Sequence, residues 1–369
     1  MVSILNTEQN TRISPERFDK VVDTLKNNGL VVLPTDTVYG LFAQAFSDIT
    51  FARMEAIKKS RNTPYSVTFN NTRSMFEWYG SVDLIRRNII GELTPGPVTV
   101  VLPYIDKVPS KFRYPEHGVG LRVASNEVLN SVMENLDFPL WSTSANTAGN
   151  AAPVRYSEVA APLLKQIDSS INGGDTDYLK SSDVIDLRSR PFSSLRAGPW
   201  HQKIDGVLQN SEDKFYIVVV CTGNLCRSPL AEYLIRKKID SIPNANVMVE
   251  SAGVYAVEGY LATEEMVVQG HSLSVDLSGH AAQQLTPAII DRAGLILSVS
   301  SWHRNKIISD HPQASQKIRL IGEFLGIDEI PDPYQMGETA YIESAELLNK
   351  AVDSWSDEFS ASFSDAEHA

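Results

Sequence analysis

A chain of 369 residues exceeds one ordinary domain of roughly 100–200 residues, so two domains are expected, each able to bury its own core. Apolar residues at 43%, charged at 21% and aromatic at 8% exclude a disordered or fibrous chain. The net charge of −12 belongs to one half: residues 1–200 hold 21 cationic and 21 anionic side chains, residues 201–369 hold 12 and 24, which excludes a uniformly basic surface for nucleic acid.

The opening MVSILNTEQNTRISPER has no basic segment followed by an apolar run, and no stretch reaches the roughly 18–20 apolar residues that span a bilayer, so a cytoplasmic protein without membrane association is expected. From Pro15 to Asn28, Phe18, Val21, Val22 and Leu25 recur at helical spacing, and GLVVLPTDTVYG then reads as glycine turn, strand and polar loop. Apolar β-branched runs follow at 98–103 (VTVVLP) and 119–123 (VGLRV), and PLWSTSAN (139–146) opens into a polar loop. A helical pattern covers Tyr156–Ile167, and DVIDLR (183–188) and LRAGPW (195–200) close this half. Strands alternating with helices predict an α/β domain over 1–205 on a twisted open sheet.

Residues 201–214, HQKIDGVLQNSEDK, are polar without a sustained pattern and predict a linker, set at 206–214. FYIVVV (215–220) is a fully apolar run of the kind found in buried parallel strands. It passes into CTGNLCRSP and then LAEYLIRKKI at helical spacing, with Pro229 suited to a first helical turn. VMVES, a helix near Thr263–Gln269, the strand GLILSVS, IRLIG and a helix around Ile342–Trp355 complete a second α/β domain over 215–355, with a central parallel sheet flanked by helices. The small, polar, acidic tail 356–369 predicts disorder.

Cys221 and Cys226 are the chain's two cysteines, and their spacing is neither a disulfide framework nor a paired zinc motif. The segment from Cys221 to Ser228 lies between a buried strand and a helix, where converging backbone N–H groups favour a dianion and a thiolate alike. Arg227 can return over this loop with a planar fork matched to two phosphoryl oxygens. Asp332, between Pro331 and Pro333, is the candidate proton donor for the leaving group and then the base for water. Gly223 and Asn224 suit left-handed backbone, and the Ser228 hydroxyl can bond the sulfur.

C-T-G-N-L-C-R-S-P-L-A-E, S-A-G (251–253) and D-P-Y (332–334) resemble the low-molecular-weight protein tyrosine phosphatases over about Phe215–Trp355. The resemblance implies a metal-free phosphatase acting through a phosphocysteine on a phosphotyrosine protein, with Cys221 as nucleophile, Arg227 on the phosphate, Asp332 as general acid, and Asn224 and Ser228 as loop support. Tyr334 matches an aromatic wall of the substrate slot, Gln335 stands where a second tyrosine is common, and Gly294 replaces an acidic strand residue. Cys226 reads equally as a small core residue or as a protective disulfide partner. Arginine phosphatases and arsenate reductases of this type are alternatives. Against them, Leu225 stands where the former carry threonine, and no further cysteine follows Cys226 to relay electrons.

In the first half, polar loops gather at strand ends, where open α/β sheets bind ligands. PTDTVYG, KKSR (58–61), PGPVT, TSAN (143–146) and LRAG, in this order, resemble the Sua5/YrdC threonylcarbamoyl-AMP synthases over about Ser14–Pro199, with a YrdC-like sheet. This implies condensation of L-threonine, bicarbonate and ATP toward the t6A modification of tRNA, with Mg²⁺ accompanying ATP, no protein metal ligand, no direct nucleic-acid binding, and hand-over to a transfer machinery. Carried over by motif, Thr35, Arg122 and Ser182 hold threonine, and Lys59, Arg61, Ser144, Asn146 and Arg196 hold ATP. Asp183, in place of a small hydroxyl residue, would add negative charge there. The alternative reading makes this half a nucleotide sensor regulating the phosphatase.

Overall fold

The computed structural model describes residues 13–58, 64–80, 82–113, 117–147, 149–212 and 214–364. The chain divides into two compact units, Met1–Val82 with Ile89–Gln209, and Asp83–Asn88 with Asn210–Ala369. Among the described residues no helix is long and apolar enough to cross a membrane.

The first unit is built on β1 (Val31–Leu33), β2 (Gly40–Gln44), β3 (Ser66–Thr68), β4 (Val98–Leu102), β5 (Val119–Arg122), β6 (Leu140–Ser144), β7 (Ser169–Ser170), β8 (Asp183–Asp186) and β9 (Ser193–Arg196). They form one mixed sheet in the order β7-β1-β2-β6-β3-β5-β4-β8-β9. Helix Pro15–Lys26 begins where Ser14 Oγ accepts the Arg17 N–H at 3.3 Å and Pro15 gives up no needed donor. Its Phe18, Val21, Val22 and Leu25 pack with Val31, Leu33 and Phe42 in one core cluster.

In the middle of the sheet, alternation sorts hydroxyl and charged residues onto one face. Ser66 and Thr68 pair with Gly120 and Arg122 on one side and with Ser142 and Leu140 on the other, while Arg122 also lies opposite Thr99. Val67, Val100, Leu121 and Trp141 take the opposite face and are buried. This polar stripe is the floor of the first candidate site.

The second unit carries β10 (Phe215–Cys221), β11 (Val247–Gly253), β12 (Leu295–Ser298) and β13 (Ile318–Leu320), all parallel in the order β11-β10-β12-β13 and flanked by helices. Ile217 to Val220 of β10 are fully buried, which accounts for the unbroken apolar run. The carboxyl end of β10 opens the crevice in which parallel sheets place their ligands.

Three expected stretches differ. The helical pattern at 156–167 breaks into a 3-10 turn, Tyr156–Glu158, and one helical turn, Ala161–Leu164, because Pro162 lacks an N–H and starts a new turn after extended Ala160. The linker and the polar run around it are helical from His201 to Glu212, since Ile204, Val207 and Leu208 at i, i+3, i+4 are buried, with Gly206 between them. The tail, expected to be disordered, forms helix Ser356–Phe363, with Phe359 and Phe363 buried four residues apart. Phe359 stacks on Trp355 at 5.8 Å and Phe363 lies 5.0 Å from Phe215. Residues 365–369 of that tail lie outside the described residues.

Candidate active sites

Strand β10 delivers Cys221, 3% exposed, to the mouth of a tight turn that runs into helix Arg227–Ile239. Asn224 adopts the left-handed backbone at φ +57°, whereas Gly223, expected to share it, is not in that region. The Asn224 N–H donates to Cys221 Sγ at 3.3 Å, and its Nδ2 donates to Ser228 Oγ at 2.9 Å and to Ser251 Oγ at 2.8 Å. Ser228 Oγ lies 3.0 Å from Cys221 Sγ.

Behind this loop stand side chains to which the sequence reading assigned no role. Ser251 Oγ donates to the buried Glu232 carboxylate at 2.5 Å, His280 Nε2 meets the Asn224 carbonyl at 2.8 Å, and the Gln283 N–H donates to Asn224 Oδ1 at 2.9 Å. Burial pushes the Glu232 carboxyl up, with Ser251 and Arg236 opposing. A Cβ on Gly253 would stand 2.5 Å from the Thr222 carbonyl, so S-A-G ends in the one residue that lets β11 approach the loop. S-A-G and P-L-A-E were visible as motifs. Their tie to Asn224 depends on the β10–β11 register.

Arg227 is 4% exposed and donates through Nη1 to the Ile330 carbonyl at 3.1 Å, and through Nη2 to Thr222 Oγ1 at 3.5 Å and to the Asp332 carboxylate. Asp332 is 46% exposed at its side chain and its Oδ1 accepts the Tyr334 N–H at 3.3 Å, so Arg227, Asp332 and the Tyr334 backbone meet beside Thr222, the residue after Cys221. His303 was not anticipated: its Nε2 lies 3.0 Å from Thr222 Oγ1 and its Nδ1 2.6 Å from Ser300 Oγ. Burial, and then the nearby Arg227 charge, pull His303 down to about 4, so it is neutral at pH 7. Cys226 is a free thiol facing Thr263 Oγ1 at 3.4 Å and Tyr341, and burial pushes it up to about 11. That makes it a poor nucleophile beside Cys221.

In the first unit, Thr35, Arg122, Ser144, Ser182 and Arg196 line one cleft over the polar stripe of the sheet. Arg122 Nη2 reaches Thr35 Oγ1 at 3.4 Å, Thr37 Oγ1 at 2.6 Å and buried Asp36 at 2.5 Å, while its buried Nε has no hydrogen-bond partner among the described residues. Arg196 Nη2 donates to Ser182 Oγ at 2.9 Å, joining a residue expected at ATP to one expected at threonine. Asp183 is fully buried and does not line the cleft; its oxygens accept the Gly198 and Trp200 N–H groups at 2.6 and 2.8 Å. Gly198 is required there, since a Cβ would stand 2.3 Å from Asp183 N.

Ser144 Oγ donates to Asn146 Oδ1 at 2.6 Å. The buried ammonium of Lys58 joins them, reaching the Ser144 carbonyl at 3.0 Å, the Asn146 carbonyl at 2.8 Å and Asn146 Oδ1 at 3.0 Å. Lys59 and Arg61, expected at ATP, lie outside the described residues. The KKSR run drew attention to this place, but not to Lys58. Among the described residues no group of three or more His, Cys, Asp or Glu side chains gathers as a metal site.

Comparison with known proteins assigns the halves separately. The Sua5/YciO/YrdC family model, described as "Telomere recombination", matches residues 23–198, and the "Low molecular weight phosphotyrosine protein phosphatase" model matches 216–364. "Probable low molecular weight protein-tyrosine-phosphatase EpsP" of Ralstonia nicotianae is 41% identical over 140 residues, 38% of this chain and 92% of that protein. "Putative threonylcarbamoyl-AMP synthase" of Methanocaldococcus jannaschii is 28% identical over 191 residues, 50% of this chain and 89% of that protein. Among solved structures, the YwlE arginine phosphatase from Geobacillus stearothermophilus is 30% identical, covering 40% of this chain and 94% of its own, at a TM-score of 0.37.

Proposed function

The chain belongs to the Sua5/YrdC family in its first half and to the low-molecular-weight phosphotyrosine protein phosphatases in its second, and from that premise we propose that this two-domain enzyme is bifunctional: a threonylcarbamoyl-AMP synthase and a cysteine-dependent protein tyrosine phosphatase. The observation that carries the phosphatase reading is one loop, 221–228, that sets Cys221 Sγ against the Ser228 hydroxyl and whose Arg227 guanidinium holds the Asp332 carboxylate. A phosphate monoester dianion lies in this loop against backbone N–H groups and takes over the guanidinium from Asp332. The Cys221 thiolate attacks phosphorus, the P–O ester bond breaks, and protonated Asp332 gives its proton to the departing oxygen. Asp332, now a carboxylate, takes a proton from water, whose oxygen attacks the phosphocysteine. Inorganic phosphate leaves, and the returning thiolate is met by the Ser228 hydroxyl and the Asn224 N–H.

In the first half we assign the buried, unpartnered Nε of Arg122 to the threonine carboxylate, with Thr35 and Ser182 beside it. Ser144, Asn146 and Arg196, together with Lys59 and Arg61, take the ATP phosphates, and Mg²⁺ would enter with those phosphates. The threonine nitrogen takes up bicarbonate as a carbamate with loss of water. A carbamate oxygen then attacks the α-phosphorus and pyrophosphate leaves. No protein nucleophile is needed, so this site works by positioning and charge neutralisation. The product feeds t6A synthesis through a separate transfer machinery, in the cytoplasm, where threonine and ATP are supplied.

The phosphatase reading is tested by hydrolysis of para-nitrophenyl phosphate in EDTA together with iodoacetate alkylation. Turnover without metal, and loss of turnover at one modified cysteine that inorganic phosphate protects, are expected. Turnover that survives complete alkylation of Cys221 contradicts it.

A further inference from the structure

Two large rings stand in solvent beside the phosphate loop and take no part in the chemistry at Cys221. Tyr255 follows the end of β11, and its N–H donates to the Thr222 carbonyl at 2.9 Å. Trp302 lies in the first turn of helix Ser301–Asp310, edge-on to His303 at 4.9 Å, and His303 in turn touches Thr222 Oγ1. The Tyr255 backbone and, through His303, the Trp302 ring are thus anchored beside Thr222, the residue that follows the nucleophile. Their centroids are 6.3 Å apart and their planes inclined at 46°, yet they remain 61% and 51% exposed.

Exposed aromatic surface of this size beside a ligand loop gains free energy when an apolar group covers it. Lys306 stands 5.5 Å from the Tyr255 ring, but Asp310 already pairs with it at 2.9 Å, so its charge is offset rather than offered to an acidic segment. The surrounding half, with 24 anionic and 12 cationic side chains over 201–369, repels one. A phosphate seated at Cys221 fixes the phosphorylated side chain, and each residue of an extended peptide advances about 3.3–3.6 Å, so residues one or two positions away lie within a few ångströms to about 7 Å of it along the chain, on the scale of the surface beside the loop.

We propose that Tyr255 and Trp302 form a specificity subsite that takes an aromatic or branched aliphatic side chain next to the phosphotyrosine of a protein substrate. The proposal rests on the phosphatase reading above. It is tested by kcat/KM for three phosphotyrosine peptides identical except at the flanking positions, which carry Leu and Phe, Ala, or Asp. The unchanged protein is expected to prefer the Leu/Phe peptide over the Ala peptide by roughly tenfold, with the Asp peptide poorest. In the Tyr255→Ala/Trp302→Ala double variant that ratio falls to near one. Trp302→Phe, which keeps a ring, retains most of it, and thermal melting checks that each variant is folded. A ratio below about twofold in the unchanged protein, an unaltered ratio in the folded double variant, or preference for the Asp peptide overturns the subsite. Failure of the unchanged protein to hydrolyse even para-nitrophenyl phosphate overturns the phosphatase reading itself, and the subsite with it.

Discussion

The phosphate loop and the cleft of the first unit are both polar sites at the ends of strands, but they are built in opposite ways. The loop is one run of residues, 221–228, whose shape is set by its own turn and by Glu232, Ser251 and His280 behind it. The cleft draws on residues from Thr35 to Arg196, brought together by the pairing of β2 through β6 and by the Ser182–Arg196 contact. A contiguous site that supplies a nucleophile fails completely when one atom is changed. A distributed site that works by positioning loses activity by degrees.

The sharpest break of this contrast is Cys221→Ser. It is expected to lower aryl phosphate hydrolysis by roughly 10⁴-fold or more in steady-state assays, while pyrophosphate release by the first half continues. Retained hydrolysis removes Cys221 as nucleophile. Asp332→Asn should slow alkyl phosphates by about 10²–10³-fold and para-nitrophenyl phosphate much less, because only the poor leaving group needs the proton. Equal losses on both substrates argue against a general acid.

Two smaller effects concern the supports of each site. His303 is held near 4 in the folded chain against 6.5 when free, by burial and by the facing Arg227. Between those values the unfolded chain binds a proton that the folded chain does not. Stability therefore falls as pH drops from about 6.5 toward 4, by up to about 3 kcal/mol. Urea unfolding of His303→Gln at pH 7 and pH 4.5 should show that share of the slope gone, and an unchanged slope sinks the assignment. In the first unit, Lys58→Met leaves the Ser144 and Asn146 carbonyls without their ammonium, at a cost of about 1–3 kcal/mol, and should weaken ATP binding by calorimetry without abolishing it. Unaltered affinity would show that the Ser144–Asn146 turn does not bear on the nucleotide.

What could be read from the sequence follows the same division. The FYIVVV strand, the turn and the Arg227 helix are consecutive, so local backbone preference alone places Cys221, Asn224, Arg227 and Ser228 together. Asp332 is distant in the chain but announced itself through its two prolines. In the first half, only motif order groups Thr35, Arg122, Ser182 and Arg196, since nothing local says that β5, β4, β8 and β9 lie side by side. Two adjacent lysines look alike in sequence, and it is the course of helix Asp48–Lys58 that points Lys58 at Asn146. His303 carried no signal beyond a serine three residues earlier, which caps its helix. The helix at 201–212 and the terminal helix were hidden for one reason: a few apolar residues, Ile204 and Val207, or Phe359 and Phe363, are enough to anchor a short helix whose other positions are polar. Asp183 shows the converse, a carboxylate expected beside the ligands whose oxygens instead accept two backbone N–H groups that no sequence pattern reveals.

Whether one chain carries two chemistries is tested most directly by pyrophosphate release from the purified protein with ATP and bicarbonate, with and without L-threonine, beside Arg122→Ala. Release that requires threonine and falls by roughly 10²-fold or more in the variant is the predicted result. Absence of threonine-dependent release, from a protein that still hydrolyses aryl phosphate, would contradict it and leave the first half a nucleotide-binding partner of the phosphatase.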